Sequence, residues 1–553
     1  MKILILGGYG TFGGRLAQLL ADDERLTLLI AGRSQEKADA FCKELPAGAQ
    51  RSALFFDRNG DVETQIRDIA PDLVVDATGP FQAYGENPYQ VIKACIANGV
   101  DYMDLADGSE FVKDVSQFDE QAKAKNIYVL SGVSSFPVLT AAVVRRLSNR
   151  LAKINTIKGG IAPSPFAGVG LNVIRAITIY AGKRLPLIRN GQKSYGHALT
   201  ETMRYTIAPP GYLPLKNTLF SLVDVPDLQV LPQLWTDLDA IWMGAGPVPE
   251  ILHRMLIGLS WLVRLRLLPS LLPFARLFYF VINVLRWGEH RGGMFVVVEG
   301  VDRDGKQIER SWHLLAEGND GPFIPSMAVE ALVRRSLAGK RPPIGARPAT
   351  SDLELEDYET IFKNRTIYTG QRERDQHLAG LYPRLLGHAW DSLPLSLIKM
   401  HGCKKADGVA NVEVGRNLLA QLAAKLFGFP QAGQNIPVQV SFQSKNGGEV
   451  WKRTFAGRSF SSFQSEGDGL SERLLSERFG MFVFDFALVV DTEKLLLNVR
   501  RWKAFGVPLP LVLAPRMMVF ESVVDNRFYF YVEISYPVVG LITRYHGWLV
   551  PSE

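Results

Sequence analysis

Cysteine is scarce in this chain. Cys42, Cys95 and Cys403 are the three among 553 residues, and they lie far apart. That excludes a disulfide-stapled scaffold, and with no Cys-x-x-Cys or Cys/His cluster a structural zinc site is not expected. None of the eight histidines forms a His-x-x-x-His pair, so no histidine-pair metal centre is indicated. Charge of one sign is hardly in excess: 62 Lys+Arg stand against 56 Asp+Glu, a net +6. Spread over this length, the surplus is too dilute to point to nucleic acid, and no nucleic-acid partner is expected. Repeats and low-complexity tracts are missing. So is any run of about 20 apolar residues, the length a membrane-spanning helix needs. Six residues precede Gly7-Gly8, too few for a signal-peptide core. The expected setting is therefore reducing and cytoplasmic.

What is present suits a globular protein with more than one core. Hydrophobic residues make up 47% and charged residues 21%, ordinary values for folded domains. The length corresponds to roughly three to four domain-sized units. Mean hydropathy is +0.04, high for an enzyme without a membrane span.

Residues 1–150 alternate strand and helix patterns. Apolar runs at 2–6, 26–31, 52–56, 72–77, 102–105 and 127–130 are separated by helical segments. That order implies right-handed crossovers and a mostly parallel, Rossmann-type α/β sheet. A mixed α/β substrate or dimerisation domain is expected over 151–345. Its clearest feature is a hairpin, 294–301 and 308–316, turning at Asp304-Gly305. A closing helix is expected at 326–337, and a linker over 346–379 after the proline-rich 340–348. The remainder, 380–553, reads as an α+β, mainly antiparallel domain: short strands packed on the helix 417–427.

The first βα turn is Gly8-Tyr9-Gly10-Thr11-Phe12-Gly13. This GxGxxG follows a strand and opens a helix, the context in which it binds a dinucleotide. Gly8 would allow the tight turn, Gly10 the approach of a pyrophosphate, and Gly13 the packing of helix on strand. The helix N-terminus supplies N–H groups and a positive dipole end. About 20 residues beyond the glycines, where an NAD site has a carboxylate, stands Arg33 within Gly32-Arg33-Ser34. A guanidinium can grip a 2′-phosphate, and Ser34 adds a hydroxyl donor. NADP(H) is the expected cofactor. Asp57 ends the third strand, as adenine contact or loop cap. Thr78-Gly79-Pro80-Phe81 ends the fourth, with backbone able to border the nicotinamide ribose.

Those motifs, together with Val75-Asp76-Ala77, Gly99-Val100-Asp101-Tyr102-Met103-Asp104-Leu105 and Glu289-His290-Arg291-Gly292-Gly293, resemble the saccharopine dehydrogenase-like NADP-binding oxidoreductase family. The resemblance is specific over 1–150 and looser to 345. It implies an NADP-type Rossmann domain with a mixed second domain, and it does not imply saccharopine as substrate. Lys399-Met400-His401-Gly402, Gly428-Phe429-Pro430, Glu477-Arg478-Phe479-Gly480 and Tyr545-His546-Gly547-Trp548-Leu549 lie in a region, 380–550, that resembles the bacterial domain of unknown function 4166.

The apolar excess concentrates in 251–288, which holds five arginines and no acidic residue. Such a segment suits a membrane interface, where Arg reaches anionic headgroups. A core hairpin or the face of a homodimer accounts for it equally well. The interface reading would put the protein against the inner face of a membrane.

No catalytic residue is assigned; Asp107 and His290 are the candidates. Tyr89 and Lys93 fit Tyr-x-x-x-Lys but come too early in the chain for that catalytic helix. Ser131 to Ser135 lack a partnered histidine nearby in sequence, so a hydrolase triad is unsupported. The function expected is an NADP(H)-dependent oxidoreductase acting on a small, hydrophobic or lipid-like substrate at a membrane surface. The alternative is a non-catalytic NADP-binding scaffold whose C-terminal domain binds a lipid or a protein.

Overall fold

The computed structural model describes residues 1–374, 380–426 and 428–552. They form two compact units: residues 1–205 with 218–369, and residues 206–217 with 370–553.

The first unit contains two seven-stranded sheets. One is parallel throughout. Its strands β1 (Lys2–Leu6), β2 (Thr27–Gly32), β3 (Gln50–Phe55), β4 (Leu73–Asp76), β5 (Asp101–Asp104) and β6 (Tyr128–Ser131) lie in the order 6-5-4-1-2-3. In β1, Ile3, Leu4, Ile5 and Leu6 are all buried. A parallel strand covered on both faces requires such an uninterrupted apolar run. Each of these side chains contributes about 1.5–3 kcal/mol.

The expected linker, 346–379, is not a linker. Gly345–Pro348 pairs in parallel with β6 as a seventh, edge strand. Leu355–Phe362 is a helix, and Ile367–Glu373 is an edge strand of the second sheet. Residues 375–379 lie outside the described residues.

The second sheet is mixed. Its centre is the long strand Leu151–Ala162, parallel to Ala240–Ala245 and antiparallel to Gly292–Asp302. The expected hairpin forms: Gly292–Asp302 pairs with Gln307–Ala316. The closing helix is Ile324–Leu337, and it packs on the first unit's opening helix, where Arg334 donates to the Leu19 carbonyl at 2.9 Å. The segment 251–288 folds as two helices, Glu250–Arg264 and Ala275–Val284, joined by a short 3-10 turn. Among the described residues no helix is long and apolar enough to cross a membrane.

In the second unit the antiparallel sheet closes on itself. Ten strands run from Lys405–Val414 to Gly540–Ser552, and pairing of Phe482–Asp491 with Lys494–Ala504 completes a barrel. A short strand, Val507–Leu509, hangs on Lys494–Ala504. The expected helix, Leu418–Leu426, packs on this sheet through Ala424 against Ile534 and Ile542. What the expectation lacked is that the sheet closes into a barrel, with inward side chains at alternate positions.

Candidate functional site

The glycine-rich turn sits at the carboxyl end of β1. Positive φ falls on Gly7 (+72°), not on Gly8. A Cβ on Gly13 would stand 2.4 Å from the Gly7 carbonyl oxygen, so the helix α1 (Thr11–Leu20) can approach the turn because that residue is glycine. No side chain caps α1 at Gly10. The first-turn N–H groups of the helix are therefore not taken by a side-chain cap.

Tyr9 braces the turn against the end of β2. Its hydroxyl accepts from the Ser34 N–H at 3.1 Å, and its ring fills the space a Cβ on Gly32 would need. Ser34 caps the following helix by accepting from the Lys37 N–H. Arg33 is exposed and has no ion pair or hydrogen bond among the described residues.

Asp57 turns inward on its own loop, its carboxylate accepting from the Asn59 N–H at 3.0 Å. The end of β4 abuts the glycine turn: a Cβ on Gly7 would meet the Ala77 carbonyl and the Thr78 backbone. Thr78 donates to Asp76 from its N–H (3.0 Å) and its hydroxyl (2.6 Å), and its oxygen lies 2.6 Å from the Tyr84 hydroxyl. The Arg58 guanidinium lies over the Tyr84 ring, 3.2 Å from its centre. Burial raises the pKa of Asp76. Phe81 is buried with its ring packed on Tyr84 and Phe111.

The second domain closes over this ground. Asn172, on the helix Leu171–Tyr180, donates to the Gly79 carbonyl at 2.9 Å. Arg15 donates to the Ala167 carbonyl at 2.7 Å. Gly170 lies so close to Thr11 that a Cβ would sit 2.7 Å from its hydroxyl.

Beyond that contact opens an apolar cavity of about 600 Å³. Thr11, Phe12 and Arg15 of α1 form one part of its wall; Leu252, Leu256 and Phe278 belong to the two apolar helices. Pockets that take drug-sized ligands fall in this range of volume and lining.

Of the two catalytic candidates, His290 is on the cavity wall, exposed and stacked on Phe166 at 3.6 Å between ring centres. Asp107 is not among the wall residues. Gln82 donates to its carboxylate at 3.1 Å, and burial raises its pKa. The structure does not bring the two together. Tyr89 donates to the Phe111 carbonyl and burial pushes it up to about 12, which leaves no Tyr–Lys acid pair with Lys93. Asp104 is buried with its carboxylate accepting from Ser131 and the Gly132 and Ala106 N–H groups.

A histidine unforeseen from the sequence is the most enclosed titratable group of the cavity. His253 is buried, and its Nε2 lies 2.8 Å from the Ser221 hydroxyl. Burial pushes its pKa down to about 4, so it is neutral at pH 7. The sequence signal was its place with Ser260 and Val263 on the buried stripe of the helix. Among the described residues no group of three His, Cys, Asp or Glu side chains could hold a metal ion.

Residues 3–130 match the family model of the saccharopine dehydrogenase NADP binding domain. Residues 393–549 match that of a domain of unknown function, DUF4166. Curated relatives include the saccharopine dehydrogenase-like oxidoreductases of Rattus norvegicus and Homo sapiens. The rat protein is 27% identical over 157 residues, 25% of this chain and 35% of the relative. The human protein is 27% identical over 165 residues, 26% of this chain and 37% of the relative. The matched stretch thus spans about a third of the length of these relatives. Among solved structures, apo saccharopine dehydrogenase (L-Glu forming) from Saccharomyces cerevisiae is similar at a TM-score of 0.48 and 12% identity, over 68% of this chain and 100% of that one. Biliverdin reductase from Synechocystis, in complex with biliverdin and NADP+, is similar at a TM-score of 0.29 and 13% identity, over 64% and 94%.

Proposed function

We propose that the first unit is an NADP(H)-dependent oxidoreductase whose hydride partner is a hydrophobic, lipid-like molecule. The observation that carries this reading is the continuity between the glycine turn and the 600 Å³ apolar cavity: Thr11 and Phe12 belong to both, and Arg15 follows on the same helix in the cavity wall. The turn fits a dinucleotide, since its glycines leave a cradle no side chain fills and the start of α1 has no side-chain cap. The pyrophosphate would lie on the first turn of α1, the Thr78-Gly79-Pro80 backbone would border the nicotinamide ribose, and Arg33 with Ser34 would hold the 2′-phosphate. The nicotinamide supplies hydride chemistry when bound. The chain's part is to fix the ring against the acceptor and exclude water. The NADP in the matched domain's description agrees with this assignment.

The same two helices that wall the cavity support delivery from a membrane surface. Away from the cavity they expose Ile251, Trp261, Phe280 and Val284, and Leu267 and Trp287 are exposed on the segments that follow them. Arg266 and Arg276 are exposed beside them and have no ion-pair partner among the described residues. Apolar side chains flanked by arginine, with no carboxylate between 251 and 288, match an anionic lipid surface.

The test is turnover. NADPH oxidation is expected with acyl or isoprenoid acceptors presented in anionic liposomes, with the protein floating with those liposomes, and no oxidation with keto acids plus amino acids. The reverse substrate pattern moves the protein to amino-acid chemistry. Tight NADPH binding with no turnover against the whole panel favours the scaffold reading. Dimerisation without flotation assigns the outer faces to a second copy.

A further inference from the structure

The barrel of the second unit contains a space that close packing does not leave by accident. Val438, Val440 and Phe442, then Trp451, Arg453 and Phe455, point into its lumen at alternate positions, and they surround a cavity of about 140 Å³. Protein interiors hold few voids larger than a water molecule. An apolar cavity of about 150 Å³ accepts a benzene ring.

Three polar pairs stand in this apolar wall. Arg453 donates to Glu477 at 3.2 Å and to the Ser462 hydroxyl at 2.8 Å, and Ser462 donates in turn to Glu477 at 2.6 Å. Tyr382 donates to the Gln464 side-chain carbonyl at 3.1 Å. His401, whose ring is wholly buried and packed 3.9 Å from that of Tyr382, holds Glu521 Oε2 through Nε2 at 2.7 Å. Buried polar groups on this scale cost free energy unless they are paired or serve a ligand.

We propose that the lumen is a binding site for a small, neutral apolar molecule, of about the size of a substituted benzene, that carries a hydroxyl group. The charge inventory sets the preference. Among the described residues two carboxylates, Glu477 and Glu521, line the cavity, and the one guanidinium, Arg453, is taken by Glu477. An anionic ligand would be desolvated facing two carboxylates with no free cation. A hydroxyl donates instead to the Glu521 oxygen that His401 does not hold. The inference concerns the barrel alone and stands independently of the coenzyme reading.

The experiment uses the full chain and three probes of similar shape: 4-methylphenol, toluene and 4-methylbenzoate. Binding is followed by saturation-transfer NMR and calorimetry. The phenol is expected to bind, toluene about tenfold more weakly for want of the hydrogen bond, and the benzoate not at all. Val440→Phe and Leu497→Phe, each filling the lumen, should abolish phenol binding with the far-ultraviolet dichroism unchanged. This assigns the signal to the barrel and not to the larger cavity of the first unit. Glu521→Leu removes the acceptor without adding bulk, and in folded protein it should erase the phenol's advantage over toluene. The proposal is overturned by no phenol binding, by benzoate binding as well as phenol, by unchanged binding in folded lumen-filling variants, or by a phenol preference that survives in folded Glu521→Leu.

Discussion

The apolar cavity of the first unit and the lumen of the barrel are lined by similar side chains but walled by different means. The first is enclosed by turns, glycines and two helices whose outer faces are themselves apolar. The second is enclosed by strands that alternate inward and outward. The larger space, about 600 Å³, has one enclosed titratable group, a histidine held neutral beside a serine. The smaller, about 140 Å³, has its charges paired inside the wall. A large space with few polar groups accepts a family of apolar ligands, whereas a small one with fixed polar groups selects among them.

The largest expected effect separates the two sites outright. Gly13→Val places side-chain atoms into the Gly7 carbonyl, already 2.4 Å from the Cβ position. Coenzyme binding, read by calorimetry with NADPH, should fall by more than about a hundredfold as the turn is displaced. Phenol binding in the barrel should not change. Loss of both together would mean that the two sites do not act independently.

How far each wall was legible follows from how it is built. The parallel sheet announces itself because β1, β2 and β4 are short apolar runs that end at a glycine or a carboxylate, and helical segments separate the strands in a repeating order. The hairpin was legible through Asp304-Gly305, where Gly305 takes φ +82°. The barrel was not, because closure rests on which strands are neighbours, and alternation in one strand says nothing of that. Arg458–Glu466 escaped notice altogether: Phe460, Ser462 and Gln464 face inward, and a serine-rich strand with a polar inner face has no apolar period. Gly345–Pro348 was hidden by Pro348 and by Pro342 and Pro343 just before it, and an edge strand tolerates such a proline. Leu171–Tyr180 was hidden by the glycines that precede it. Tyr9 belongs to the predicted turn, but its bond to the Ser34 N–H depends on a β1–β2 spacing that motif counting does not contain.

His253 sharpens the contrast through pH. Its unfolded value is the ordinary 6.5 and its folded value about 4. Below 6.5 the unfolded chain takes up a proton that the folded chain refuses. The contribution to stability is therefore complete above about pH 6.5, declines as pH falls, and is lost by about pH 4; the loss reaches about 3 kcal/mol. Urea melts of the wild type and of His253→Gln, compared between pH 7 and pH 4, should diverge by that dependence. Parallel curves would show that the imidazole is not held neutral in the cavity wall.

The smallest effect expected here tests which coenzyme the first unit selects. Arg33 is exposed and unpaired at the end of β2, so its removal leaves no partner orphaned and should not change folding. A guanidinium that forks onto the 2′-phosphate makes charge-assisted bonds with NADPH that NADH cannot offer. Arg33→Ala should therefore weaken NADPH about ten- to hundredfold and leave NADH within about twofold, measured by fluorescence titration at low salt. Screening gives a second reading of the same contact. Raising the ionic strength should erode the preference of the wild type for NADPH and leave the variant's affinities nearly flat. Equal losses for the two coenzymes would mean that Arg33 does not touch the phosphate, and selection would then have to come from Ser34 and the backbone around Gly32.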